Sequence, residues 1–222
     1  MTHNIEKYLG GRIVKNVLVV KGNNRPADQA VSSKMYETFV ANLDTTKVNV
    51  TEYDVFAENL PYFGQDIFNA FGKLQNGGEL TEVESRALAG QAKARELVKA
   101  ADVIVVAFPL WNQTIPAALQ SFIDNIYGAG FTFKYNEQGQ LVALMPEKEV
   151  ILLNARGGNY STPEMQPMEM AVNYLRNIFG GVFGMKIVDE VIIEGHNAFP
   201  DKAQEIIAAG MEQVAAVAKK LN

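Results

Sequence analysis

The sequence predicts an α/β protein in which helices cover both faces of an open, five-stranded parallel sheet. Short, nearly continuously apolar runs alternate along the chain with amphipathic helical stretches, which is the pattern of parallel strands buried on both sides. The length of 222 residues, 48% of them hydrophobic, suits one large core that needs no staples.

The first strand is expected at 16–21, where the run Asn-Val-Leu-Val-Val-Lys is almost wholly apolar. A helix follows from Ser32, with Met35, Phe39 and Leu43 at intervals of four and Tyr36 and Val40 widening the stripe. The second strand is expected at 47–54, and the aromatic stretch after it, Leu60-Pro61-Tyr62-Phe63 leading to Phe68 and Phe71, reads as irregular. Asn76-Gly77-Gly78 reads as a turn, and Thr81 with Glu84 forms a capping box that opens a helix reaching about Lys99. The third strand is expected at 102–108, and Pro116 suits the first turn of a helix running to about Tyr127. A small β-excursion with Gly139 at its turn occupies 131–145, before a fourth strand at 149–154. Pro167 is expected to open the next helix and Gly180-Gly181 to close it, with the fifth strand inside 185–194 and a last helix from about Pro200 to Leu221. Without internal repeats or linkers, 16–222 reads as one domain and 1–15 as a short surface extension.

Composition narrows the function. A net charge of −5, with no long Lys/Arg run, repels nucleic-acid phosphates. The absence of cysteine excludes disulfides, zinc thiolate sites and cysteine nucleophiles, and points to a reducing cytoplasm. No apolar run approaches the roughly 20 residues of a membrane span, and the charged start is no signal peptide.

Five parallel strands suggest the doubly wound order 2-1-3-4-5, whose ligand crevice lies beyond the carboxyl ends of the strands where winding reverses. That rule selects the loops 22–31, 109–115 and 155–163. The first leads to Ser32-Ser33 at a helix start, where unpaired N–H groups and the positive dipole end favour an anion; the alternative is that Ser32 merely caps its helix. The loop has neither a P-loop nor a GxGxxG pattern, so a monophosphate fits better than a nucleoside triphosphate or a dinucleotide. The second loop holds the only tryptophan, Trp111, beside the amide of Asn112, a pairing suited to the face and polar rim of a flat heteroaromatic ring. The third, Asn154-Ala155-Arg156-Gly157-Gly158, permits close backbone approach. A phosphate cradle, a ring-edge site and a close-approach glycine pair at one sheet end together describe FMN.

Here a resemblance becomes specific. Phe108-Pro109-Leu110-Trp111-Asn112-Gln113-Thr114-Ile115-Pro116, then Ala129-Gly130-Phe131-Thr132-Phe133-Lys134-Tyr135, then Asn154-Ala155-Arg156-Gly157-Gly158 together resemble the FMN-dependent NADH azoreductase and quinone reductase family. The likeness covers nearly everything from Asn16 onward, including Val31-Ser32-Ser33-Lys34 and Glu194-Gly195-His196-Asn197. It implies a flavodoxin-like fold and a homodimer. It also implies that Val31, Ser32 and Ser33 hold the FMN phosphate, that Pro109, Leu110, Trp111 and Asn112 line the isoalloxazine, and that Ala155, Arg156, Gly157 and Gly158 meet its pyrimidine edge. Where some relatives place a serine pair after the first strand, this chain has Gly22-Asn23, and Asn23 is expected to substitute through its amide.

With no cysteine, two histidines and no HExxH or GxSxG pattern, the chain offers little chemistry of its own, so the cofactor carries it. The reading that follows is a two-electron ping-pong transfer from NADH or NADPH through FMN to quinones or aromatic azo compounds, with no catalytic side chain. Arg156 reads either as a counter-charge for the reduced flavin or as an exposed or interfacial residue, and His196 as a structural hydrogen-bonder. Among the aromatics, Phe131, Tyr127 and Tyr160 are the expected substrate contacts, in a slot shared across a dimer. Two other classes stay open: a flavodoxin-like electron carrier without small-molecule turnover, and a hydrolase acting on a phosphorylated substrate at Ser32.

Overall fold

The computed structural model describes residues 8–9 and 12–222, with side chains from Val14 onward. Within the expected extension, β1 (Tyr8–Leu9) and β2 (Arg12–Ile13) pair antiparallel; the rest of its first 13 residues lies outside what is described. The central sheet comprises β3 (Lys15–Lys21), β4 (Val48–Asp54), β5 (Val103–Pro109), β8 (Glu149–Arg156) and β9 (Lys186–Glu194) in the order β4-β3-β5-β8-β9. All its pairings are parallel, which is the order 2-1-3-4-5 expected from the sequence.

Successive strand residues point to opposite faces, and each face finds its own helices. Val17, Val19, Val103, Val105, Ile151 and Leu153 pack under α1 (Val31–Ala41) and α6 (Ala203–Lys219). Their neighbours Leu18, Val20, Ile104, Val106, Val150 and Leu152 pack under α3 (Glu82–Ala100), α4 (Ala117–Ile126) and α5 (Val172–Leu175). The Thr81 capping box forms as expected: Glu84 N–H donates to Thr81 Oγ1 at 3.3 Å, and Thr81 N–H to the Glu84 carboxylate at 2.7 Å. The β-excursion is a hairpin, β6 (Phe133–Tyr135) on β7 (Leu141–Ala143), and Gly139 at φ 72° makes its turn.

Several boundaries depart from the sequence reading. The stretch expected to be irregular contains α2 (Gln65–Asn76). Only Ile67 and Ala70 of this helix are buried, so its aromatics form no core-facing stripe. Instead Phe63, just before the N-cap Gly64, stacks edge-on at 5.4 Å against Phe68 in the first turn, a hydrophobic staple. Pro167 opens no long helix; it sits in a 3-10 turn, Gln166–Met168. The following helix is opened by the Glu169 carboxylate, which accepts from the N–H groups of Ala171, Val172 and Asn173 at 3.1, 2.8 and 3.2 Å. Gly180-Gly181 does not close it either: α5 runs into a π-helical stretch, Arg176–Val182, that passes through both glycines. Its wider turn, with Phe183 N–H donating to Ile178 O at 2.9 Å, buries Phe179 and Phe183 together, and the chain turns away at Gly184, φ 77°. Pro116 precedes the first residue of α4, and a 3-10 turn at Pro200–Lys202 leads into α6.

Helix α6 lies on β9 through Gly210, where an added Cβ would sit 2.4 Å from Ile193 Cγ1. The Gly210→Ala change therefore sets a helix-propensity gain of about 1 kcal/mol against overpacking of about 1–3 kcal/mol. We expect net destabilisation, read as a lower thermal midpoint; a raised midpoint would mean that the contact relaxes freely.

Candidate functional site

Because β3, β5 and β8 are adjacent and parallel, the segments that follow them leave the sheet at its carboxyl end. Backbone bonds fasten those exits together: Gly22 N–H donates to Ala107 O at 2.7 Å, and Leu110 N–H to Ala155 O at 2.9 Å. Gly22 leaves little room for a side chain, since a Cβ would meet Ala107 O and Phe108 Cβ at 3.0 Å each. Ser32, Asn112 and Gly157 thus belong to loops rooted on neighbouring strands.

In the first loop, the helix begins one residue earlier than expected and Ala30, not Ser32, is its N-cap. Ser32 is therefore not a cap. The first helical bond is Lys34 N–H to Ala30 O at 3.0 Å, so the N–H groups of Val31, Ser32 and Ser33 precede the intrahelical ladder. The buried Asn23 amide donates to Ser32 Oγ at 2.9 Å, which leaves the Ser32 hydroxyl hydrogen for another acceptor. Ser33 differs: its Oγ–H donates to Arg25 O at 2.6 Å and shapes the loop. An anion facing this helix start meets first-turn N–H groups, the positive dipole end and one hydroxyl.

The second loop is a tight turn. Trp111 and Thr114 exchange N–H···O bonds at 2.9 and 3.0 Å, and Asn112 and Gln113 both take positive φ, 50° and 72°. Such angles at two non-glycine residues cost roughly 1–2 kcal/mol each. The strain is held by the bridge, by Met170 N–H on Gln113 O at 2.9 Å, and by Phe56 edge-on to Trp111 at 6.4 Å. Asn112 is exposed at the tip, while Pro109 and Leu110 lie at the root against Ala155.

The third loop corrects the reading of Arg156 as exposed. Its side chain is 6% exposed. Nε and Nη2 donate to Glu194 Oε2 at 2.9 and 2.8 Å, Nη1 lies 3.5 Å from Glu169 Oε1, and the guanidinium stacks 5.6 Å from the Tyr160 ring centroid. This cation is already matched by two carboxylates. Burial alone raises the Glu194 pKa, but bonds from Ser161 Oγ–H and Tyr160 N–H, together with Arg156, bring it below the ordinary 4.5. The glycines also have a local reason. At Gly157 a Cβ would lie 2.2 Å from Asn197 Nδ2, and at Gly158 one would lie 3.0 Å from the Tyr160 ring. His196 is pushed down in pKa by burial, and its Nδ1 has no hydrogen-bond partner among the described residues.

Phe131 was expected at a helix end close to the crevice, but in this chain both it and Tyr127 follow the end of α4 away from the three loops. Helix α4 starts at the second loop and returns along the sheet for 10 residues, about 15 Å of rise. Tyr127 and Phe131 follow its far end, Tyr127 against Phe133 at 4.9 Å and Phe131 under the Arg95 guanidinium at 5.2 Å. Of the three aromatics only Tyr160 lies in one of the strand-end loops, the third, beside Arg156. Sequence reasoning gave no role to Glu194, Asn197 or Glu169, the residues that hold the third loop and its arginine. The only signal for the first two was their place in the Glu194-Gly195-His196-Asn197 segment.

If Asn197 is the reason for glycine at 157, Gly157→Ala should lower the thermal midpoint, and Asn197→Ala in the same chain should restore part of the loss by removing the clashing amide. Additive losses in the double variant would contradict this.

Known proteins share this fold. Residues 15–218 match the family described as having a flavodoxin-like fold. The FMN-dependent NADH:quinone oxidoreductase 3 of Bacillus cereus is 50% identical over 206 residues, 92% of this chain and 98% of that protein. The azoreductase structure from Bacillus anthracis superposes with a TM-score of 0.84 at 48% identity, covering 93% of this chain and 100% of the other. An FMN-dependent NADH-azoreductase from Bacillus anthracis, solved with FMN, shares the fold at 23% identity and a TM-score of 0.82, covering 94% and 99%. The chain belongs to the flavodoxin-like family of FMN-dependent NADH:quinone oxidoreductases and azoreductases.

Proposed function

We propose that this chain binds FMN across its three strand-end loops and transfers two electrons from NADH to quinones and aromatic azo compounds. The observation that carries the reading is the joint exit of the three loops, with a donor-rich helix start on the first. Bound there, FMN supplies the hydride acceptor and two-electron donor that no side chain of this protein can provide. The chain's own work is to hold and orient. Val31, Ser32 and Ser33 face the phosphate with first-turn N–H groups; Ser32 adds its hydroxyl, turned by Asn23, and Ser33 fixes the loop. Pro109, Leu110, Trp111 and Asn112 line the ring, the strained turn keeping Asn112 at its rim. Ala155, Gly157 and Gly158 approach the pyrimidine edge with backbone, while Arg156 acts on the loop's frame because Glu194 and Glu169 already neutralise it.

The dimer belongs to the same proposal. Tyr62, Phe68, Leu74 and Tyr135 are 81%, 58%, 58% and 63% exposed, an apolar display that suits burial against a second copy. Tyr127 and Phe131, a helix length from this chain's loops, then contact substrate at the partner's site, and Tyr160 at their own. The chain works in the cytoplasm, as its lack of cysteine supports, and 16–222 acts as one domain behind the short extension. Among the described residues no helix is long and apolar enough to cross a membrane. A carrier that cannot turn over a small molecule, and a phosphate-ester hydrolase, both fit the enzyme relatives less well.

Two measurements test this. Ser32→Asp sets like charge against the phosphate and should yield colourless protein, with Ser32→Ala weakening FMN binding about tenfold; wild-type flavin content in the Asp variant contradicts the cradle. Steady-state rates with NADH and a benzoquinone varied together should give parallel double-reciprocal lines, and intersecting lines would contradict alternate use of one pocket.

A further inference from the structure

We propose that Glu194 is a positioning residue for the third loop: with the turn that follows it, this carboxylate aims the N–H groups of Gly157, Gly158 and Asn159 at the FMN pyrimidine edge. The inference rests on the FMN reading above. Glu194 ends β9, an edge strand that sends no loop of its own between β3, β5 and β8. Its register partner is Arg156, the last residue of β8. Oε2 accepts from Arg156 Nε and Nη2 at 2.9 and 2.8 Å and from Tyr160 N–H at 3.1 Å, and Oε1 accepts from Ser161 Oγ–H. One side chain therefore grips the loop at its root and at its far end.

The following turn grips the middle. Gly195 N–H donates to Arg156 O and Gly158 O at 3.2 and 3.1 Å, and the N–H groups of Asn197 and Ala198 donate to Gly157 O at 3.0 and 3.1 Å. Three successive carbonyls thus point at residues 195–198. Among the described residues every peptide bond is trans, and in a trans peptide the N–H is directed opposite to the C=O of the same plane. The N–H groups of Gly157, Gly158 and Asn159 are therefore turned away from this turn as a set. Pre-oriented dipoles of this kind stabilise negative charge on a ligand without reorganisation. Releasing the loop ends would let those peptide planes rotate and scatter the donors.

The test uses Glu194→Ala, which removes the grip, and Glu194→Gln, which can keep its oxygen on Arg156 and Tyr160 while its amide donates to a reoriented Ser161 hydroxyl. FMN affinity is read by flavin fluorescence on titrating apoprotein, and the flavin midpoint potential on the loaded protein. Glu194→Ala should weaken FMN about tenfold or more and make the potential more negative, while Glu194→Gln stays within about threefold of wild type. A control, Val214→Ala on the buried face of α6, should lower the thermal midpoint but leave affinity and potential unchanged. Ser161→Ala, which spares Arg156, gives a milder loss of affinity in the same direction and keeps the test decisive should Glu194→Ala not fold. Wild-type apoprotein that does not bind FMN overturns the functional reading itself. Wild-type binding matched by the Glu194→Ala and Ser161→Ala variants, or losses that merely track thermal midpoint as the Val214→Ala control does, overturns this inference alone.

Discussion

The constraint on which the rest depends is that β3, β5 and β8 are buried on both faces. Val19, Val20, Val105, Val106, Leu152 and Leu153 are all inaccessible to solvent, each contributing about 1.5–3 kcal/mol by leaving water. A sheet covered on both sides by helices must return every connection over a face, so the strands run parallel and their following loops gather at one end. Since both faces are apolar, hydrophobicity alone does not fix the register. Polar ties also link the strands at the opposite end of the sheet: Lys15 on β3 reaches Glu149 on β8 at 2.7 Å, and the Asp102 carboxylate just before β5 accepts Asn16 N–H at 2.9 Å, though an exposed ion pair of this kind contributes little.

At the site end, the polar groups are bought with strain and buried charge. Arg156, Glu169 and Glu194 join β8, the start of α5 and the end of β9 in one cluster, where desolvation offsets much of the Coulombic gain. Such a cluster contributes shape more than stability. It fixes the third loop relative to the helix that α5 begins, while the positive-φ turn at Asn112 and Gln113 is tied to the same region through Met170. The fully buried Asn154, whose Oδ1 has no hydrogen-bond partner among the described residues, lies one residue before Ala155 and marks how polar this end of β8 is.

The strands and their order were legible because continuous apolar runs leave few alternatives, and the three loops followed from the topology they imply. Helix α2 was not, since its stability comes from a staple and two buried residues rather than from a stripe. The helix after Pro167 was misread at both ends, because its opener is a carboxylate acting on backbone and its closer a left-handed glycine beyond a π-turn. At the site, the residue types of the loops pointed to the ligand. What stayed hidden is made by contacts distant in sequence: Arg156 meets Glu194 38 positions away. Gly157 is glycine beside an asparagine from another strand's turn, and Ser32 is turned by Asn23 from across the loop.

The central claim, that three strand-end loops close on one ligand, is tested most directly by hydrogen–deuterium exchange on the apoprotein with and without FMN. Slowed exchange should appear together in 22–33, 109–115 and 155–161, with little change along the opposite edge of the sheet. Protection confined to one of these segments, or appearing only elsewhere, would contradict the claim.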